Sequence, residues 1–309
     1  MSETIADCRI GKSYAYPTLI CPKCRHNFIS EAPILGQPDA IERAFYNYFQ
    51  GIPNSCHCGM NIPLPKVIMY QLLERNDCEF VDSNNTSNCL EVIGAIGSIA
   101  TIKNKHNTHV EFKLGENTKV LDYYYYHNNA QVNFFENRSR NPLTKDVNKH
   151  GIDVLLDEEQ NEDGSLFYTF IKDYDTNTPR GKLIEACEHF YFQRYKDMIL
   201  PANICIEDSL DNLLHDYLLK IISKNKLDDI FSDIPYSVRL NILLPLLQIK
   251  QEINPLDKSI IDSLNNLRKA RNSIAHRTEN AKIDKNKAAE FLCAVLFGYH
   301  YLNYIKGLL

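Results

Sequence analysis

Near the C-terminus the chain reads Leu267-Arg-Lys-Ala-Arg-Asn-Ser-Ile-Ala-His276, which sets an obligate cation, an amide and an imidazole close together. The planar fork of Arg271 suits a phosphate. His276 can accept and release protons near neutral pH. Asn272 has no proton to exchange and can only orient a neighbour. Such a set could break a phosphodiester bond. Ile260, Leu264, Leu267 and Ile274 recur at helical spacing, so the motif ends an amphipathic helix, and Arg271 falls on its apolar stripe. A guanidinium cannot shed its proton, so burial there calls for an acidic partner or an anionic ligand. Asn272 and His276 are i and i+4 and share a neighbouring face. Arg271 and His276 are about 140° apart around a continuous helix. One straight helix therefore does not turn both toward one phosphate. A bent helix end, or a second copy across a two-fold axis, would.

A second group of residues has metal-ligand chemistry. Cys21-Pro-Lys-Cys24 and Cys56-His-Cys58-Gly59 form paired knuckles, in which tight loops aim thiolates at one ion. Paired knuckles predict a closed, tetrahedral, structural Zn²⁺ site and no catalytic metal. The pattern resembles a zinc ribbon whose second half is an atypical Cys-x-Cys, and His57 could replace one cysteine. Cys8, Cys78, Cys89, Cys187, Cys205 and Cys293 are scattered and read as small core residues.

Several elements must carry these groups. Apolar periodicity predicts helices over 39–50 and 65–75 beside the second knuckle. Further helices are expected over 183–199, 202–224, 235–249, up to 276, and 285–309. Between them, β-branched and aromatic runs predict strands over 90–102, 109–114, 119–126, 131–135, 152–157 and 166–172. Turn residues at 115–118 and 162–165 mark hairpins. The Tyr123–Tyr126 run reads as alternating core and surface positions of one strand. Polar linkers fall at 82–88 and 173–179. The expected class is α+β multidomain. Residues 1–81 would form a zinc-ribbon-like module with helices, 82–179 a small antiparallel β domain, and 180–309 an all-α bundle.

Composition limits the function. With 309 residues and a net charge of −5, the chain is folded but is not a general nucleic-acid coat. The charge is uneven: residues 1–179 hold 16 Lys/Arg against 23 Asp/Glu, and residues 180–309 hold 18 against 16. From 265 to 287 there are seven basic residues and two acidic ones, so positive charge surrounds the Arg271 motif, as a phosphate-binding surface requires. No apolar run reaches the length of a membrane span, and no signal-peptide pattern is present. A cytoplasmic location is expected, and there ten cysteines point to metal rather than disulfides.

The motif Arg271-Asn272-Ser273-Ile274-Ala275-His276, late in a helix and followed by a polar break at 277–280 and a last helix, resembles the HEPN superfamily of helical domains. The resemblance covers about residues 180–309. It implies a dimer with the site at the two-fold interface, and a metal-independent endoribonuclease of the toxin or antiviral type. In that chemistry the RNA 2′-OH attacks the adjacent phosphate and leaves a 2′,3′-cyclic phosphate. His276 would act as general acid or base, Arg271 would hold the phosphate, and Asn272 would orient one of them. An acidic residue of an earlier helix would support the arginine: Glu207, or else Asp208. The zinc and β parts would sense a trigger, such as a protein partner or antitoxin, or select the substrate. The alternative is a catalytically inert module of the same kind that binds RNA, a nucleotide or a protein.

Overall fold

The computed structural model describes residues 3–5, 13–15, 19–24, 27–29, 40–74, 89–102, 109–112, 117–127, 147–148, 151–155, 164–276 and 282–309. The linker at 82–88, the strand expected over 131–135, the break at 277–280, Cys8 and Cys78 lie outside them. The first elements are strands β1 (Glu3–Ile5), β2 (Ser13–Ala15), β3 (Leu19–Ile20) and β4 (Asn27–Ile29). Helices α1 (Ala40–Phe49) and α2 (Leu64–Glu74) come next. A 3₁₀ turn (Cys89–Ile93) leads to β5 (Ile96–Ile102), β6 (His109–Phe112), β7 (Lys119–His127), β8 (Val147–Asn148), β9 (Gly151–Leu155) and β10 (Gly164–Ile171). The helices α3 (Pro179–Tyr191), α4 (Tyr195–Leu218), α5 (Lys224–Asp233), α6 (Tyr236–Val238), α7 (Leu244–Lys250), α8 (Lys258–His276) and α9 (Lys285–Leu308) complete the chain. A π-helical turn, Arg239–Leu243, joins α6 to α7. The described residues are thus mostly helical.

Contacts divide the chain into two units that do not follow sequence order. One holds residues 1–18, 30–32 and 77–175, and the other holds residues 19–29, 33–76 and 176–309. The knuckle cysteines and helices α1 and α2 therefore belong with the C-terminal helices, while β1 and β2 join the β-rich unit. The reason for the first grouping is visible in α1. Its Phe45 is fully buried, stacks on His300 of α9 at 4.1 Å, and meets Phe297 edge-on at 4.8 Å.

The β-rich unit contains two four-stranded sheets, ordered β1-β6-β9-β8 and β2-β5-β10-β7. The second is antiparallel throughout, with Tyr123 opposite Tyr168 and Tyr125 opposite Leu166. The first contains one parallel pair, β1 with β6, so the expected antiparallel domain is mixed. The turns at 115–118 and 162–165 do not close hairpins. β6 and β7, like β9 and β10, lie in different sheets and do not pair; residues 115, 116, 162 and 163 lie outside the described residues. Turn chemistry marks a reversal without naming the strand that will pair. Leu90, Val92, Ala95, Leu121, Phe170 and Ile171 are buried in this unit.

The helical unit is arranged around α9. Its sequence is apolar on every side, a pattern that suits only a helix covered all round. It is packed by α1, α2, α3, α4 and α8. At Gly298 a Cβ would lie 2.9 Å from Ile206 Cδ1 of α4 and 3.2 Å from Leu264 Cδ1 of α8, so glycine permits the close approach of these helices. Tyr301 anchors the same helix: its hydroxyl accepts from Gln248 Nε2 at 2.7 Å and donates to the Asn254 carbonyl at 2.5 Å. Helix starts are capped as their sequences require. Thr178 accepts from Gly181 N at 3.0 Å with Pro179 following, and Asp284 accepts from Lys287 N at 2.8 Å.

The boundary between α3 and α4 differs from the sequence expectation and matters for the site. The chain breaks at 192–194, where Gln193 has φ 59°, and not at Pro201. Pro201 lies inside α4, where it leaves the Asp197 carbonyl without its helical N–H donor. The break turns the end of α3 back beside the start of α4.

Candidate functional site

α8 runs unbroken to His276, so the bent helix end that could have joined Arg271 and His276 is absent. Ile260, Leu264 and Leu267 are buried, and Arg271, one turn beyond, is half-buried. Its Nη1 donates to Asn272 Oδ1 at 3.1 Å, so the two motif neighbours do come together. Glu207 forms no hydrogen bond or ion pair with Arg271 among the described residues. It acts instead on Tyr236, whose phenol is pushed up by burial and then by the Glu207 charge, while Arg268 stacks over the Tyr236 ring at 5.5 Å. Asp208 is exposed, and its carboxyl is raised by desolvation against the pull of Lys182. His276 is exposed at the end of α8.

Arg271 lines a cavity of about 500 Å³ between the end of α3, the first turns of α4 and the end of α8. Its apolar walls are Ile199, Leu200, Pro201, Ile274 and Ala275. The polar groups are Arg271, Lys196, His189, Glu185 and Asp197. Neither His276 nor Glu207 lines it. Among the described residues the guanidinium has no acidic hydrogen-bond or ion-pair partner, although two carboxylates share the cavity with it. Glu185 is instead paired with Lys182 at 2.9 Å. Burial, and next the charge of Arg194, lower the His189 pKa and favour the uncharged imidazole. Its Nδ1 is buried without a hydrogen-bond partner. Sequence reasoning missed His189, Lys196 and Asp197. They meet Arg271 only because the chain breaks at 192–194, and no local pattern pairs these positions.

A second site is built from loops. β3 and β4 form a hairpin around Cys21 and Cys24, with Leu19 fully buried beneath. The other loop turns at Gly59, whose φ of 77° suits glycine, and closes with Gly59 N bonded to the Cys56 carbonyl at 2.9 Å. Cys21 Sγ lies 3.8 Å from Cys58 Sγ, and Cys24 Sγ lies 3.5 Å from Cys56 Sγ. All four sulfurs fall within 4.8 Å of one another, so these cysteines could hold a metal ion. A tetrahedral Zn–S₄ site with bonds of ~2.3 Å has an S–S edge of about 3.8 Å, which the spacing fits. The Cys24 backbone N–H, working against burial, lowers the Cys21 pKa to about 6. At Cys56 the Cys58 backbone N–H favours the thiolate. Burial and the neighbouring thiols outweigh it and raise the pKa to about 12. Four thiolates in one cluster would repel one another, and a bound cation removes that cost. His57 is not one of the four clustered ligands, although its Nδ1 lies 3.5 Å from Cys56 Sγ, and the described Cys187, Cys205 and Cys293 are buried and in no disulfide.

No helix among the described residues is long and apolar enough to cross a membrane. Comparison with family models, curated proteins and solved structures finds no match to this chain.

Proposed function

We propose that the protein is a metal-independent RNA endonuclease of HEPN type, acting as a dimer, with zinc in the four-cysteine site as structural support. One observation carries this: Arg271 is half-buried at a cavity wall, its hydrogen-bond partner among the described residues is the neutral Asn272, and its charge is left for an anion. The basic stretch from 265 to 287 supports an RNA strand as the source of that anion. Arg271 holds the phosphate and its developing charge, and Asn272 fixes the guanidinium. His276 moves the proton between the 2′-OH and the leaving oxygen. Because α8 is continuous, the His276 that serves one Arg271 comes from a second copy of the chain. The zinc and β-rich parts select the substrate or sense a trigger such as a protein partner.

The test is RNA cleavage in EDTA by the full chain beside His276→Ala, with light scattering for mass. The expected result is a dimer that leaves 2′,3′-cyclic phosphate ends, and a 10²–10⁴-fold slower variant. Equal cleavage by the variant removes His276 from the site. The exposure of His276 outside the cavity favours a second reading, binding of RNA or a nucleotide without cleavage. Tight binding with no cut product would establish it.

A further inference from the structure

We propose that the cavity beside Arg271 holds one nucleotide of an RNA strand, its phosphate on the guanidinium and its base between Leu200, Pro201 and Ile274. This rests on the RNA reading above but is a separate claim, because it assigns a base-binding pocket to α3, α4 and α8.

Three features restrict the ligand. The volume of about 500 Å³ lies in the range of sites for whole small molecules, ~300–1,000 Å³, and exceeds the need of a bare anion. The apolar walls of Leu200, Pro201 and Ile274 offer a face against which a flat base can pack. The polar groups are of mixed sign. Arg271 and Lys196 attract an anion, whereas Glu185 and Asp197 would repel a ligand that was anionic throughout. A ligand that fits must therefore carry a negative end and, apart from it, hydrogen-bond donors. A nucleotide has both: the phosphate, and the amino and imino N–H groups of its base. Asp197 supplies an acceptor for those donors, and the carbonyl freed by Pro201 belongs to the same residue.

The structure gives an unusual reason for Pro201 to sit seven residues into a helix. It forms part of the apolar wall and frees an acceptor in the same turn. The His189 ring borders the cavity, where burial disfavours its charged form.

The experiment is calorimetric titration of the full-length protein with each of the four nucleoside 5′-monophosphates and with inorganic phosphate. The expected result is saturable binding of at least one nucleotide, at least tenfold tighter than phosphate, and at least tenfold weaker in Arg271→Gln and in Leu200→Asp. Leu200 is 51% exposed near the start of α4, where an acidic residue is compatible with the helix. Ala275→Trp, at an exposed position on the opposite wall, fills the cavity and should also abolish binding. A thermal melt of each variant identifies any that is unfolded, and either cavity variant suffices. Three results overturn the pocket: no nucleotide binds, phosphate binds as tightly, or folded cavity variants bind like wild type. The two proposals fail separately. RNA cut without mononucleotide binding removes the pocket alone, and mononucleotide binding without RNA cleavage removes the nuclease alone.

Discussion

Replacing Arg271 by Gln should leave the helical unit folded while weakening its hold on phosphate. The structure sets the size of the effect. Among the described residues Arg271 makes one hydrogen bond, to a neutral amide at 3.1 Å, and a bond of that kind contributes about 0.5–1.5 kcal/mol net. Glutamine keeps most of the aliphatic stem, so lost burial adds at most about 0.8 kcal/mol, the value of one methylene. The total is roughly 1–2 kcal/mol. Had Glu207 paired with the arginine in the interior, removing one partner would cost about 3–5 kcal/mol. For a unit of this size each kcal/mol lowers Tm by about 2–4 °C. Differential scanning calorimetry of the zinc-loaded chain should therefore show a fall of about 2–8 °C, with a full cooperative transition. RNA cleavage and nucleotide binding should each fall tenfold or more in the same sample. A drop in Tm well beyond 10 °C would refute the reasoning. It would mean that Arg271 holds the fold through an acidic partner, and its loss could not then be read as functional.

Other perturbations have outcomes that the packing fixes. Elemental analysis should find about one zinc per chain. Cys24→Ser, or strong chelation, should destabilise the hairpin of β3 and β4, and a metal-free chain with an unchanged melt would exclude the site. Phe45→Ala removes a fully buried ring from the contact of α1 with α9 and should cost about 3–5 kcal/mol, read as a lower urea midpoint. Retention of the midpoint would show that α1 is not part of this core. Gly298→Val forces a side chain against Ile206 and Leu264 and should cost about 1–3 kcal/mol; an unchanged urea midpoint would deny the close approach. Burial, and then the charge of Arg180, lower the His300 pKa to about 3, against ~6.5 in an unfolded chain. The unfolded chain takes up a proton between those values that the folded chain refuses. Stability from this group is complete above pH ~6.5 and falls as pH drops below it, by at most about 1.4 kcal/mol per unit. Urea titrations from pH 7 to 4 should show that slope in wild type and a flatter one in His300→Phe.

The sequence by itself determined the local elements. Residues 40–49, 64–74 and 258–276 are helical because apolar residues recur at the helical period within each, and 285–308 is a long apolar run without proline; both are properties of neighbours in the chain. The two cysteine knuckles were legible for the same reason: ligand spacing within each loop is local, and the four thiols come together where they could hold one metal ion. Local pattern did not decide which elements share a core. The expected division by position along the chain placed α1 with the knuckles alone, whereas buried aromatic contacts join it to α9 across some 250 residues. The hairpin signals at 115–118 and 162–165 failed likewise, since pairing is settled by which sheet buries the strand. The candidate site divides along the same line. Arg271, Asn272 and His276 could be picked out from residue type and spacing. That His276 and Glu207 do not line the cavity was decided by tertiary packing, and the presence of His189, Lys196 and Asp197 beside Arg271 depends on the break at 192–194. The expected helices ended at 199 and began again at 202, on either side of Pro201, but burial of Met198, Ile199 and Ala202 in one continuous helix outweighed the single hydrogen bond that Pro201 forfeits.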